Sequence, residues 1–417
     1  MGEFAKELSI YSYLIMAFIS NTCIFTFFPK IAESKDFPLS QVGIVFSINP
    51  LCNIICSCIL SKTIHKIGRK TVIQLSITFS GLSMLVFSPI LLTDIYGFAI
   101  FSILNRIFVG ISMSCGLVAA ISVFTSDYPE KIPEMIGKME VAISVGLILG
   151  SLCGPFMEKI GIGISFIVFG CLFLLALPIT SYFLQTFRPY EMHNTSLIPL
   201  SLALKPKIFF TLIMDFIFLF QFGLLGTILE IHLGNFGFSN IEVGFVFSLE
   251  TISYLICALV FAKIFKINEE RYPMIVGLWI LGFGYLLLGS AGYLISFKEI
   301  SIIGLPFIGI GECLIYLFSV PYIINAAHSS YKYPKNDELN DKISVFVQVA
   351  SSIGEILGPI YAGFISDLYS IQTACVCFII FCFLFSLIYC LFTQMIPELF
   401  CKTNLKNTFK DQLIPKP

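Results

Sequence analysis

The chain has 417 residues, 57% of them hydrophobic and 12% charged, with a mean hydropathy of +0.92. About a quarter of the residues in a soluble domain are charged, so this composition excludes a soluble globular protein and places the chain in a bilayer. The net charge of -1 gives no reason to expect a nucleic-acid partner, and the length leaves room for about a dozen spans of roughly 20 residues each.

The start, Met1 to Leu8, carries Glu3, Lys6 and Glu7 and leads into a full-length apolar run with no small-residue cleavage pattern. It reads as a retained first span rather than a signal peptide. Apolar runs of spanning length then lie at 9–29, 39–60, 71–92, 97–123, 138–157, 162–185, 207–229, 241–262, 273–296, 300–326, 342–365 and 371–394. Twelve runs predict an all-α membrane protein of twelve transmembrane helices. The expected organisation is a six-helix bundle over 1–185, a polar linker over 186–206, a second six-helix bundle over 207–394 and a tail over 395–417.

Lys and Arg set the orientation. With the N-terminus inside, the inner segments hold 20 of them, including Lys62, Lys66, Arg69 and Lys70, then Lys131 and Lys138, then Arg188, Lys205 and Lys207. The outer loops hold only Lys30, Lys35, Lys159 and Lys298. Both termini are therefore expected in the cytosol. Asn194-Thr195-Ser196 in the linker matches a glycosylation acceptor, but the expected cytosolic side argues against modification.

Thirteen of the fourteen cysteines fall in apolar runs, and only Cys401 lies in the tail. No Cys/His grouping with zinc-ligand spacing accompanies them. They read as small polarizable residues within spans, and neither a disulfide framework, a metal nor a cofactor is expected.

The chain repeats itself. Gly146, Gly150, Gly154 and Pro155 form a ladder at four-residue spacing, and Gly354, Gly358 and Pro359 restate its Gly-x-x-x-Gly-Pro end 204 residues later. Each copy has a carboxylate in the same run, Glu140 in the first and Glu355 in the second. Glycines four apart share one helix face and let a neighbouring backbone approach closely. Gln41-Val-Gly-Ile-Val-Phe-Ser47 likewise matches Glu242-Val-Gly-Phe-Val-Phe-Ser248 at an offset of 201. Six spans thus repeat as a block in one orientation, which predicts two parallel halves about a central axis.

Between the second and third runs lies Ser61-Lys-Thr-Ile-His-Lys-Ile-Gly-Arg-Lys70. It resembles the major facilitator superfamily loop Gly-x-x-x-Asp-Arg-x-Gly-Arg-Lys/Arg at Lys66, Gly68, Arg69 and Lys70. It departs at Ser61 and at His65, where the superfamily has an acid, which bears on the charge relay that this loop makes. Asn105-Arg106-Ile-Phe-Val-Gly110 resembles the Arg-x-x-x-Gly signature of proton-coupled members. An arginine at that depth costs about 2.5 kcal/mol or more on insertion scales. It needs a partner or a wet cavity; clamping to backbone carbonyls is one role open to it, and the expected one is proton coupling, tuning the protonation of the intramembrane acids. The ladder resembles the superfamily's antiporter motif, with Glu158 and Lys159 in place of its last two glycines.

Five acids, Glu140, Asp215, Glu250, Glu312 and Glu355, lie within apolar runs, against Arg106 as the single basic residue well inside one. This excess of negative charge suits a cation. A carboxyl deprived of water and of a counterion holds its proton more tightly, so protons and a cationic substrate compete for such sites, which is a physical basis for exchange. Glu250, Glu312 and Glu355 lie near mid-span, where transporter sites sit. Tyr254, Tyr316 and Tyr322 offer cation-π faces. Glu230, at the outer end of its run, reads as a solvated surface residue.

Further runs resemble the vesicular amine and polyamine transporter branch of the superfamily. These are Phe27-Phe28-Pro29-Lys30-Ile-Ala-Glu33-Ser-Lys35, Gly137-Lys-Met-Glu140 with the ladder, and Phe166-Ile-Val-Phe-Gly170-Cys171. The resemblance implies import of amines or polyamines into acidic compartments in exchange for protons, with Glu140 contacting the amine. Ser20 stands before Asn21 where monoamine members have an acid, which favours a polyamine or another organic cation. The expectation is a monomeric vesicular or plasma-membrane antiporter whose partners are a small cation, protons and the bilayer. The alternatives are an exporter of other organic cations or drugs and a non-transporting receptor of transporter fold. No nucleophile–base pair or phosphate loop points to an enzyme.

Overall fold

The structure is a computed structural model that describes residues 2–128, 132–183, 200–264, 271–290, 299–333 and 337–395. Most of the expected linker, including Asn194-Thr195-Ser196, and nearly all of the tail lie outside the described residues.

Within them the chain forms thirteen α-helices and no strand. They are α1 (Gly2–Thr22), α2 (Phe28–Ser34), α3 (Leu39–Ile67), α4 (Arg69–Phe87), α5 (Ile95–Asp127), α6 (Ile132–Ile160), α7 (Ile162–Phe183), α8 (Pro206–Asn235), α9 (Asn240–Ile264), α10 (Arg271–Ser290), α11 (Glu299–Ser329), α12 (Asp337–Leu368) and α13 (Ile371–Cys390). Eleven, α3 to α13, are long and apolar enough to cross a membrane, and α1, with 21 residues, makes the twelfth long helix. Helix is what such sequences must form in lipid, where each backbone N–H and C=O has to be satisfied within its own segment. Large side chains left uncovered by protein, such as Ile164, Leu175 and Ile179 along α7, form the lipid-facing surface.

The first span differs from the expected run 9–29. Helix α1 stops at Thr22, a turn takes 23–27, and the separate seven-residue α2 follows. Phe27 and Phe28 turn inward here and are fully buried; Phe28 stacks on Phe98 at 5.2 Å. Aromatic packing at the turn therefore outweighs continuation of the helix.

The glycine ladders lie where two backbones meet. A Cβ on Gly146 or Gly150 of α6 would collide with the backbone carbonyls of Ile15 or Ile19 on α1, one on Gly154 with that of Cys23 just past the end of α1, and one on Gly354 or Gly358 of α12 with Phe216 or Phe220 on α8. The two copies of the ladder thus make equivalent seams, α1–α6 and α8–α12. Two further seams, α3–α12 and α6–α9, join the first six long helices to the last six.

The turns 23–38, 88–94, 161, 236–239 and 369–370 gather at one end, here the far end, opposite the start of α1. Gly161 (φ 123°) is the single residue between α6 and α7, a turn that requires positive φ. The two halves are tied together at the far end. Glu230 of α8 accepts the Lys30 N–H of α2 at 2.8 Å, Lys30 Nζ donates to Asn240 Oδ1 at 3.0 Å, and Asn240 Nδ2 donates to Glu158. Asp367 of α12 accepts the N–H groups of Leu39 (3.2 Å) and Ser40 (2.7 Å) in the first turn of α3. Glu230 is only 1% exposed, so its reading as a solvated surface residue is corrected. A helix-terminal N–H from the other half replaces water at its carboxylate.

Candidate transport site

Four of the five acids converge on one aromatic cluster. On α11, Gly309 lies against the backbone of Glu250 on α9; a Cβ there would stand 3.0 Å from the Glu250 carbonyl carbon. One turn on, this close approach lets Glu312 meet Glu250, and the two carboxyls are hydrogen-bonded to each other. They are 3% and 2% exposed. Thr251 Oγ1 donates to Glu250 Oε2 at 3.0 Å, while Glu312 Oε1 has no hydrogen-bond partner. Two carboxyls brought together out of water disfavour a double negative charge.

Asp215, fully buried on α8, accepts from Ser319 Oγ at 2.6 Å through Oδ1 and leaves Oδ2 unpartnered. Glu140 on α6 is half-buried. Its carboxylate is the strongest electrostatic influence on the Tyr316 hydroxyl and also acts on Tyr254. Tyr316 feels Asp215 as well, and Tyr254 feels Glu312. Phe218 of α8 stacks on Tyr316 at 4.6 Å and on Tyr254 at 6.2 Å, so three helices contribute one aromatic plate bordered by Glu140, Asp215 and Glu312. Behind it Tyr285 of α10 donates to the carbonyl and Oε1 of Gln221, both at 3.0 Å, and feels Glu250 and Glu312.

Glu355 is half-buried on α12 and makes no hydrogen bond or ion pair among the described residues. None of the five acids has a cation as its partner there. Carboxyls without a basic partner beside aromatic rings offer both negative charge and ring quadrupole to a cation.

Arg106 stands apart from the acids. It is fully buried and donates through Nε to Asn105 Oδ1 (3.0 Å), through Nη1 to the carbonyl and Oδ1 of Asn21 (3.1 and 3.2 Å), and through Nη2 to the Ser20 carbonyl (3.4 Å). Its guanidinium lies 5.9 Å from the Phe46 ring centroid. Of the two roles open to it, the geometry shows the carbonyl clamp, tying α5 to α1. In the basic loop, Gly68 takes φ 88° between α3 and α4, and Lys70 follows Arg69 in the first turn of α4. Arg69 is buried, donates to Ser122 Oγ at 2.9 Å and lies 3.6 Å from Asp127 at the end of α5. Asp127 thus gives the loop an acidic partner from a position 58 residues beyond Arg69 that the loop's own pattern does not reveal.

The sequence matches the Major Facilitator Superfamily over residues 10–336. The chain belongs to that superfamily. Human "MFS-type transporter SLC18B1" is 26% identical over 355 residues, covering 82% of this chain and 75% of that protein, and the rat protein of the same name is 25% identical, covering 88% and 83%. "Multidrug resistance protein 2" of Bacillus subtilis is 22% identical, covering 86% and 88%. Among solved structures, a bacterial homolog of the human lysosomal transporter Spinster, in an inward-facing and occupied conformation, superposes with a TM-score of 0.73 at 15% identity, covering 94% of this chain and 97% of that one. The nucleoside transporter NupG gives 0.72 at 13% identity, covering 93% and 99%. The superfamily is one of transporters rather than enzymes, and this member is a multi-pass integral membrane protein.

Proposed function

We propose that this transporter exchanges protons for a cationic amine or polyamine by alternating access, the two six-helix sets rocking about the aromatic cluster. The observation that supports it most is that Glu140, Asp215, Glu250 and Glu312 surround stacked rings with no basic side chain paired to them. Carboxyls without a basic partner can be neutralised by a proton, and the more open of them by an ammonium group, so that uptake of one favours release of the other. The ties at the far end correspond to a state closed there, and release of those ties would open the cluster to the opposite side. The Lys and Arg distribution supports cytosolic termini, and with them import into an acidic vesicle or export across the plasma membrane are the two settings.

The test is uptake of labelled spermidine into proteoliposomes of the purified protein, with and without an acidic interior. Uptake that requires the gradient is expected; gradient-independent uptake, or none for spermidine and other organic cations, overturns the reading. Similarity to a protein named for multidrug resistance favours a second reading, export of bulkier organic cations, which the same assay resolves when spermidine is replaced by a hydrophobic quaternary ammonium.

A further inference from the structure

The proposed exchange needs two occupants, a proton and a cation, and the acids fall into two different environments. Glu140 is half-buried, carries no hydrogen bond among the described residues and lies within electrostatic range of the hydroxyls of Tyr316 and Tyr254. Glu250 and Glu312 are sealed between α9 and α11 and bonded to each other, with Thr251 as a further donor. We infer that the Glu250–Glu312 pair holds the transported proton while Glu140 receives the ammonium group of the substrate. This assignment rests on the exchange reading above and divides its labour between named carboxyls.

Three features carry it. First, the pair is too enclosed for an alkylammonium chain: the backbone contact at Gly309 closes the α9–α11 seam at its level. A proton needs no such room, and Glu312 Oε1 is an acceptor left open to it. Second, the titratable groups beside the pair are Tyr254, Tyr285 and Cys313, with the free thiol of Cys257 next to that of Cys313; none of them is a cation, so charge on the pair is balanced by protons. Third, α9 links the two sites mechanically. Its Ser248, two residues before Glu250, is hydrogen-bonded to Ser151 of α6 at 2.8 Å, and its Gly244 lies against Ser151 and Pro155 of the same helix. Helix α6 carries Glu140. Proton and cation therefore act on the two helices of one seam, where the loading of either can alter the packing that the other depends on.

The test separates net exchange from self-exchange. Gradient-driven accumulation of labelled spermidine requires proton release, whereas exchange of labelled for unlabelled spermidine trapped inside, without a pH gradient, requires only the cation site. Glu250→Gln and Glu312→Gln keep a side-chain hydrogen bond to the remaining carboxyl. Each is expected to lower accumulation about tenfold more than it lowers self-exchange, and the double variant should be no worse than either single one. Glu312→Asp, which restores a titrating group, should recover part of the accumulation, and Glu140→Gln should abolish both activities. Accumulation at the wild-type level in Glu250→Gln or Glu312→Gln, or loss of self-exchange as complete as loss of accumulation, overturns the assignment while leaving proton exchange intact. A wild-type protein that accumulates without the gradient overturns the exchange reading itself, and the assignment with it.

Discussion

Gly244 of α9 lies against Pro155 of α6, its ideal Cβ position 2.8 Å from the proline Cγ, and Gly43 of α3 meets the backbone carbonyl group of Pro359 on α12, its ideal Cβ position 2.8 Å from the carbonyl carbon. The two internal repeats of the sequence thus touch each other: the Val-Gly element of each half rests on the Gly-Pro element of the other. Gly43→Ala or Gly244→Ala inserts a methyl between the halves. Overpacking costs about 1–3 kcal/mol, enough to move a two-state equilibrium roughly five- to a hundredfold. The expected outcome is depletion of the state closed at the far end, read as longer distances between spin labels at Ser34 and Tyr369. Gly137→Ala, where nothing lies within 4 Å, should leave those distances unchanged.

Asp367 and Glu230 act on the same equilibrium through hydrogen bonds. Neither α2 nor α3 has a side-chain cap of its own, and each borrows a carboxylate from the other half. Loss of a cap costs about 0.5–2 kcal/mol. Asp367→Ala and Glu230→Ala should each shift the same label distances in the same direction as the glycine variants, and their effects should combine. A shift toward shorter distances would contradict the capping role.

Arg106→Lys keeps the charge and loses the fork of donors that reaches Asn21, Asn105 and Ser20 together. We expect lower thermal stability in detergent along with lower transport. Loss of transport at unchanged melting temperature would point instead to a direct part in coupling.

The Arg69–Asp127 pair is buried on both sides. Asp127→Asn strands a guanidinium out of water, at a cost of about 3–5 kcal/mol. Adding Arg69→Gln should recover part of the stability lost, measured by thermal unfolding of the purified protein.

The spans and both glycine ladders were legible because each leaves a periodic or repeated mark on the chain. The glycine spacing foretold a close backbone approach on each ladder, while the partners, α1 and α8, come from the structure. What stayed hidden depends on partners distant in sequence. Glu250 and Glu312 are 62 residues apart and meet because Gly309 lets two helices close together. Glu230 looked solvated because its partner is a backbone N–H, which no residue type announces. Arg106 had to find partners, and the carbonyls of Ser20 and Asn21 are equally silent in a sequence. The break at Thr22 was missed because apolar content continues through the turn.

Helices α2 and α3 begin with amides satisfied by the opposite half. When that mouth parts, those amides and the released carboxylates must be taken up by water, so opening is a hydration event as much as a movement. Solutes excluded from protein surfaces, such as sucrose or trimethylamine oxide, should hold the mouth shut, and the carrier's turnover should slow with osmolality even when both membrane faces see the same solution.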